Sequence, residues 1–174
     1  MTPTFLQPIL NSPSIALLRR IHGLEHATIN ILAQRFPGIP LAGHSNPSGF
    51  WLLGEVSTES VQSAIDEALQ RLRAGEKRLA IAPMCGTNVV TIGALSGLAG
   101  MLTMWDSPKR LRDKLDRLPL AMSLATLAVF VALPLGVLMQ EHVTTSGEPG
   151  DLQVAAVTRL DQGGMTAHRV TVRG

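Results

Sequence analysis

Tyrosine is absent from this 174-residue chain, the only aromatic side chains besides histidine are four Phe and two Trp, and there is one cysteine, Cys85. A single thiol excludes an internal disulfide framework. Charge is scarce as well: Asp, Glu, Lys and Arg make up 16% of the residues, and the formal net charge is +2. That small excess is scattered, and no aromatic residues are interleaved with basic ones, which excludes nucleic acid as a partner. The first thirty residues also lack the order of a secretory signal, because Arg19 and Arg20 come after the apolar stretch rather than before it. The N-terminus is therefore expected to stay on the chain.

What the chain has in excess is apolarity, gathered in two runs. Val89 to Trp105 carries no charge over 17 residues, about 26 Å as a helix. Leu118 to Met139 carries none over 22, about 33 Å and enough to span a bilayer. Between them, Asp106 to Arg117 is a charged turn with five basic and three acidic residues. Two uncharged runs joined in this way predict a two-helix membrane hairpin, with the lipid bilayer as partner. The alternative is a helical hairpin buried in a soluble protein. Gly93-x-x-x-Gly97 and Ser96-x-x-x-Gly100 give the first span a small-residue face on which another helix can lie, a route to a homo-oligomer. Pro119 suits a helix start, and Pro134 predicts a kink.

Residues 1–13 hold three prolines and read as a lead-in. The spacing predicts a helix from Ile15 to Ala33, capped by Ser12 or Ser14 and stopped near Arg35 and Phe36 by Pro37, Gly38 and Pro40. Its inward stripe is expected to be Ile15, Leu18, His22, Glu25, Ile29 and Leu32. Gly43 to Gly49 is turn chemistry, and Phe50 to Val56 has the length and apolarity of a strand. Ser57 or Thr58 then caps an amphipathic helix with Val61, Ile65, Ala68, Leu69 and Leu72 on one face, ending at Gly75. Leu79 to Ala82 reads as a second short strand. After a linker at Thr144 to Gly150, strands at Leu152–Leu160 and Met165–Val172 are joined by the turn Asp161-Gln162-Gly163-Gly164. The expected fold class is an α+β membrane protein. Residues 1–87 form a small α/β headpiece of helix and strand-helix-strand, 88–140 the membrane hairpin, and 141–174 a β-hairpin that packs back on the headpiece.

The chemistry centres on His22-Gly23-Leu24-Glu25-His26. On a helix the two imidazoles, four residues apart, share a face and can reach one divalent ion, with a carboxylate beside them. The order is H-x-x-E-H, that of the inverted zinc peptidases. A plain structural alternative exists, in which Glu25 bonds to a His or to Arg19 or Arg20. A metal centre needs a third ligand, and Cys85, His44, His168 and Glu55 are the candidates. Cys85 sits in a turn between Pro83 and Gly86, whereas His44 lies in a loop, His168 on a terminal strand where a surface position is expected, and His142 just past the second span. In the catalytic version Glu25 accepts the proton of an attacking water; in the structural version it fixes a ring tautomer.

Taken together, His22-Gly23-Leu24-Glu25-His26-Ala27-Thr28, Pro47-Ser48-Gly49-Phe50-Trp51, Cys85-Gly86-Thr87-Asn88 and Met165-Thr166-Ala167-His168 resemble an uncharacterised family of small bacterial membrane proteins of cyanobacteria and Chloroflexi. A second group of bacterial membrane proteins, described as metal-dependent enzymes, is similar in pairing an H-G-x-E-H segment with a Cys-Gly-Thr segment ahead of a membrane helix. Many of those carry a His before the proline of the second segment, where this chain has Ala82. The resemblance implies a site joining the two segments and supplies no reaction. The expectation is a protein of the bacterial cytoplasmic membrane with its headpiece in the cytoplasm. It binds zinc or another divalent metal and hydrolyses a peptide or amide bond with Glu25 as base. A non-catalytic scaffold or sensor is the alternative. Orientation rests on a contest between the five basic residues of the turn and Arg71, Arg73, Lys77 and Arg78.

Overall fold

A computed structural model describes residues 6–105, 110–162 and 165–174. The expected tip of the charged turn at Asp106 to Lys109 and the Gly163-Gly164 turn lie outside the described residues. The chain divides into two compact units, Met1–Ala82 with Glu141–Gly174, and Pro83–Gln140.

In the first unit a short helix α1 (Gln7–Leu10) leads into α2 (Pro13–Arg35). Pro13 stands in the first turn, where its missing N–H costs nothing. Ser12 is the N-cap residue, but its hydroxyl donates back to Ile9 rather than capping. Next come β1 (Ala42–Asn46), β2 (Gly49–Leu53) and α3 (Thr58–Arg73). The Ser57 hydroxyl accepts the Ser60 N–H at 3.2 Å, the capping expected there. The unit closes with β3 (Gln153–Gln162) and β4 (Met165–Arg173). The four strands form one sheet in the order β1-β2-β4-β3, antiparallel throughout.

Two expectations fail here, each for a backbone reason. Leu79 to Ala82 is no strand: Lys77–Ala80 is a single 3-10 turn, closed by bonds such as Leu79 N–H to Glu76 O at 3.0 Å. The carbonyls that would have joined a sheet are taken by α2 instead. Asn30 Nδ2 donates to Leu79 O and Ile81 O, both at 2.9 Å, and His26 bonds to Ala80 O. Gly43 to Asn46, expected as a turn, is a strand because it pairs with β2, and Asn46 Oδ1 accepts the Ser48 N–H to tighten the hairpin. The headpiece is therefore α+β, with an antiparallel sheet, rather than a strand-helix-strand α/β unit.

The core lies between one sheet face (Phe50, Leu52, Val170, Val172), α3 (Val61, Ala64, Ile65, Ala68) and α2 (Ile21, Leu24, Ala27, Ile31, Leu32). On α2 the buried apolar stripe thus runs through Ile21, Leu24, Ile31 and Leu32; of the expected stripe Glu25 and Leu32 are buried, while Ile15, Leu18, His22 and Ile29 are half-buried. From Gly23 to Thr28 the helix is buried on every side. It is walled by more than the sheet, and this frees the His22–Glu25–His26 flank to meet backbone segments.

In the second unit, α4 (Gly86–Met104) and α5 (Leu111–Met139) are both long and apolar enough to cross a membrane, and α5 runs into a π-helical turn at Gln140–Thr144. Few of the residues along either helix are buried. Val90 and Phe130 are 71% and 67% exposed, which argues against the core hairpin of a soluble protein, where such side chains are covered. Pro119 lies inside α5 rather than at its start, because the helix begins eight residues earlier, at Leu111 in the charged segment. Within this unit Gln140 Nε2 donates to Asn88 Oδ1 at 2.7 Å, Asn88 Nδ2 donates to Pro83 O at 2.8 Å, and Gly136 is the small residue that lets Asn88 approach α5. A buried, bonded amide pair thus ties the start of α4 to the end of α5.

Candidate metal centre

Helical spacing brings the two imidazoles together as expected: the rings of His22 and His26 lie 4.3 Å apart, tilted by 59°. Each is aimed by a backbone carbonyl. His22 Nδ1 is 3.0 Å from Thr144 O and His26 Nδ1 is 2.8 Å from Ala80 O. A carbonyl only accepts, so each Nδ1 carries the hydrogen and each neutral ring keeps its lone pair on Nε2. A carbonyl bonded to one ring nitrogen in this way orients a histidine whose other nitrogen ligates a metal.

Cys85 is the N-cap residue of α4, and its sulfur accepts the Thr87 N–H at 3.4 Å. First-turn amides favour negative charge at that sulfur. The ligand atoms of His22, His26 and Cys85 all lie within 4.8 Å of one another, and the three form a group that can hold a metal ion. Two imidazole nitrogens and one sulfur are a donor set able to hold a divalent metal ion. Ala82 is buried and its methyl side chain offers no ligand.

The remaining expected residues go elsewhere. Glu25 is buried, and its carboxylate accepts a hydrogen bond from the Ser45 hydroxyl on β1, with Gly43 of the same strand packed against it. His44 is exposed on the sheet face opposite the core, beside Trp51. His168, expected at the surface, is wholly buried on the core face, where Thr58 Oγ1 lies 3.3 Å from its Nε2. Alternation along β4 turns it inward with Thr166, Val170 and Val172. Its desolvation, and then the nearby Arg159, hold its pKa below the ordinary value of 6.5. Glu55 is engaged by the Thr166 N–H and hydroxyl. None of these four belongs to the three-ligand group.

Ser45 and the carbonyls of Ala80 and Thr144 carry weight in the site and were not singled out by sequence, whereas Arg19, considered only as a partner for Glu25, donates to the carbonyls of His142 and Thr145. A carbonyl has no residue identity, so no sequence signal could have found those of Ala80 and Thr144.

A model of a domain of unknown function, DUF6391, matches residues 17–157, a stretch containing both imidazoles and the cysteine. The chain belongs to the DUF6391 family. An uncharacterised protein of the cyanobacterium Picosynechococcus sp. is 36% identical over 170 residues, covering 91% of this chain and 80% of its own length. DUF6391 thus fits the expected uncharacterised bacterial family. No solved structure matches the chain.

Proposed function

We propose that this DUF6391 protein is a membrane-anchored metal-binding protein whose ion is held by His22, His26 and Cys85. One observation carries the reading: three ligand atoms converge within 4.8 Å while both Nδ1 hydrogens are committed to carbonyls, which points the lone pairs of both rings to Nε2. Zinc suits a His2Cys set best among common divalent ions. The protein resides in the bacterial cytoplasmic membrane, anchored through α4 and α5, with its headpiece in the cytoplasm; the exposed apolar side chains of both helices support the anchoring. Gly93 and Gly97, where an added Cβ meets nothing within 4 Å, leave a face of α4 open to a second copy of the hairpin.

In the catalytic version the protein hydrolyses a peptide or amide bond. A divalent ion supplies Lewis acidity at such a site. Glu25, one residue before His26, accepts the proton of the attacking water, and the Ser45 hydroxyl steadies its carboxylate. The second reading is a non-catalytic scaffold or sensor, favoured by that same Ser45 bond and by the close packing of Gly43, which let Glu25 serve as a pin between α2 and β1.

Glu25→Gln separates the two while keeping the shape of the side chain. A catalytic base leaves zinc content and thermal midpoint near those of the unmodified protein. A pin loses stability by about 1.5–3 kcal/mol, the worth of a hydrogen bond to a charged group. Unchanged stability in Glu25→Gln would remove the pin, and a large loss would remove the simple base.

A further inference from the structure

Arg19, His22 and Gly23 lie three and four residues apart, and so on one flank of α2. All three meet residues 142–146 through backbone atoms. Arg19 Nη2 donates to His142 O at 3.2 Å and to Thr145 O at 3.1 Å, while the carbonyl of Arg19 accepts the Ser146 N–H at 2.9 Å. His22 Nδ1 donates to Thr144 O at 3.0 Å. A Cβ at Gly23 would run into the Ser146 carbonyl, so only glycine lets the segment lie this close.

These carbonyls belong to the end of the π-helical turn Gln140–Thr144 and the residues just after it. A helix end leaves its last carbonyls without intrahelical donors, and here a guanidinium and an imidazole supply them. The two Arg19 bonds go to carbonyls on either side of Thr144. A planar guanidinium with fixed donors can hold both at once, which a lysine ammonium does less well. Burial pulls the Arg19 guanidinium below its ordinary pKa, yet a guanidinium stays charged at any physiological pH.

We propose that Arg19 is a positioning residue of the metal centre: by clamping residues 142–146 it fixes the Thr144 carbonyl that sets the tautomer and ring plane of His22. The inference rests on the reading of His22 as a metal ligand. Arg19 acts on the metal only through the segment it holds, and Gly23 serves the same end by close approach. Linkage makes the effect reciprocal, so a metal at His22 in turn holds residues 142–146 in place.

The test uses the full chain in detergent, with zinc affinity read by competition against a chromophoric chelator. Arg19→Gln and Gly23→Ala are each expected to weaken zinc binding by about tenfold or more, the range for groups that hydrogen-bond and orient a metal ligand, with Arg19→Lys in between. The double variant is expected to lose less than the product of the single losses, because both act through one segment. Zinc is also expected to slow hydrogen exchange of the Ser146 amide in the unmodified protein. Folding is followed by circular dichroism, and if Arg19→Gln does not fold, Gly23→Ala and Arg19→Lys carry the comparison. Variants that fold, melt earlier without metal and yet bind zinc as the unmodified protein does would show a merely structural clamp and overturn the proposal. Unchanged Ser146 exchange on zinc loading would do the same. Failure of the unmodified protein to bind zinc would instead strike the metal reading itself.

Discussion

A methyl group added at Gly43 probes how Glu25 is held. The new Cβ would overlap Glu25 Oε1 and lie 2.8 Å from both Glu25 Cδ and Ile29 Cδ1, well inside the 3.4 Å at which ordinary contact begins. Glu25 is 3% exposed and sits on the most enclosed part of α2, so the carboxylate has no solvent to swing into. Either β1 shifts or the carboxylate withdraws from the Ser45 hydroxyl. Overpacking of this kind costs about 1–3 kcal/mol. Weakening a hydrogen bond to a charged group adds up to about 1.5–3 kcal/mol. A total near 3 kcal/mol lowers the thermal midpoint of a chain this long by about 6–12 °C. The assay is thermal unfolding of the metal-free protein in detergent, with Gly86→Ala as control, since a Cβ there meets nothing within 4 Å. Ser45→Ala removes the hydroxyl without the clash and is expected to cost less. A Gly43→Ala midpoint within about 2 °C of the unmodified protein would refute the packing of Glu25 against β1.

Two further outcomes follow from buried polar groups. The His168 pKa is held below 6.5 in the folded state by desolvation and then by Arg159, so below pH 6.5 the unfolded chain takes up a proton that the folded chain resists. Stability from this residue is level above pH 6.5 and falls as the pH drops from there through the folded value; a flatter slope in urea midpoints is expected for His168→Gln, and an unchanged slope would contradict it. Asn88→Ala takes the acceptor from the buried Gln140 Nε2 and is expected to destabilise the α4–α5 hairpin by about 1–3 kcal/mol, read as a lower unfolding midpoint in detergent, whereas no loss would mean that the amide pair does not tie the helices.

How much was legible from sequence depended on whether the information sat in side chains. The i, i+4 pair of His22 and His26, the length and apolarity of both long helices, the Ser57 cap and the terminal hairpin were all written in residue type and spacing. The Leu79–Ala82 segment was misread because its strand-like apolarity is used differently. Its carbonyls are claimed by Asn30 and His26, a competition that no local pattern reveals. Gly43–Asn46 was misread for the opposite reason: a polar, glycine-containing stretch became a strand through pairing with β2 and through Gly43 and Ser45 facing a buried glutamate. His168 illustrates the limit of assigning a lone histidine without its strand register. One residue of shift would have turned it outward.

Binding of a single ion by His22, His26 and Cys85 is the central proposal for this protein. The direct measurement is cobalt substitution of the detergent-purified protein, prepared without chelator and followed by absorption spectroscopy with metal analysis. Two imidazoles and one thiolate around cobalt are expected to give thiolate-to-metal charge transfer and tetrahedral ligand-field bands at about one ion per chain. Cys85→Ser should lose the charge-transfer band, and His22→Gln or His26→Gln should lose stoichiometric binding. Absence of both bands and of bound metal in the folded, unmodified protein offered cobalt or zinc would contradict the account.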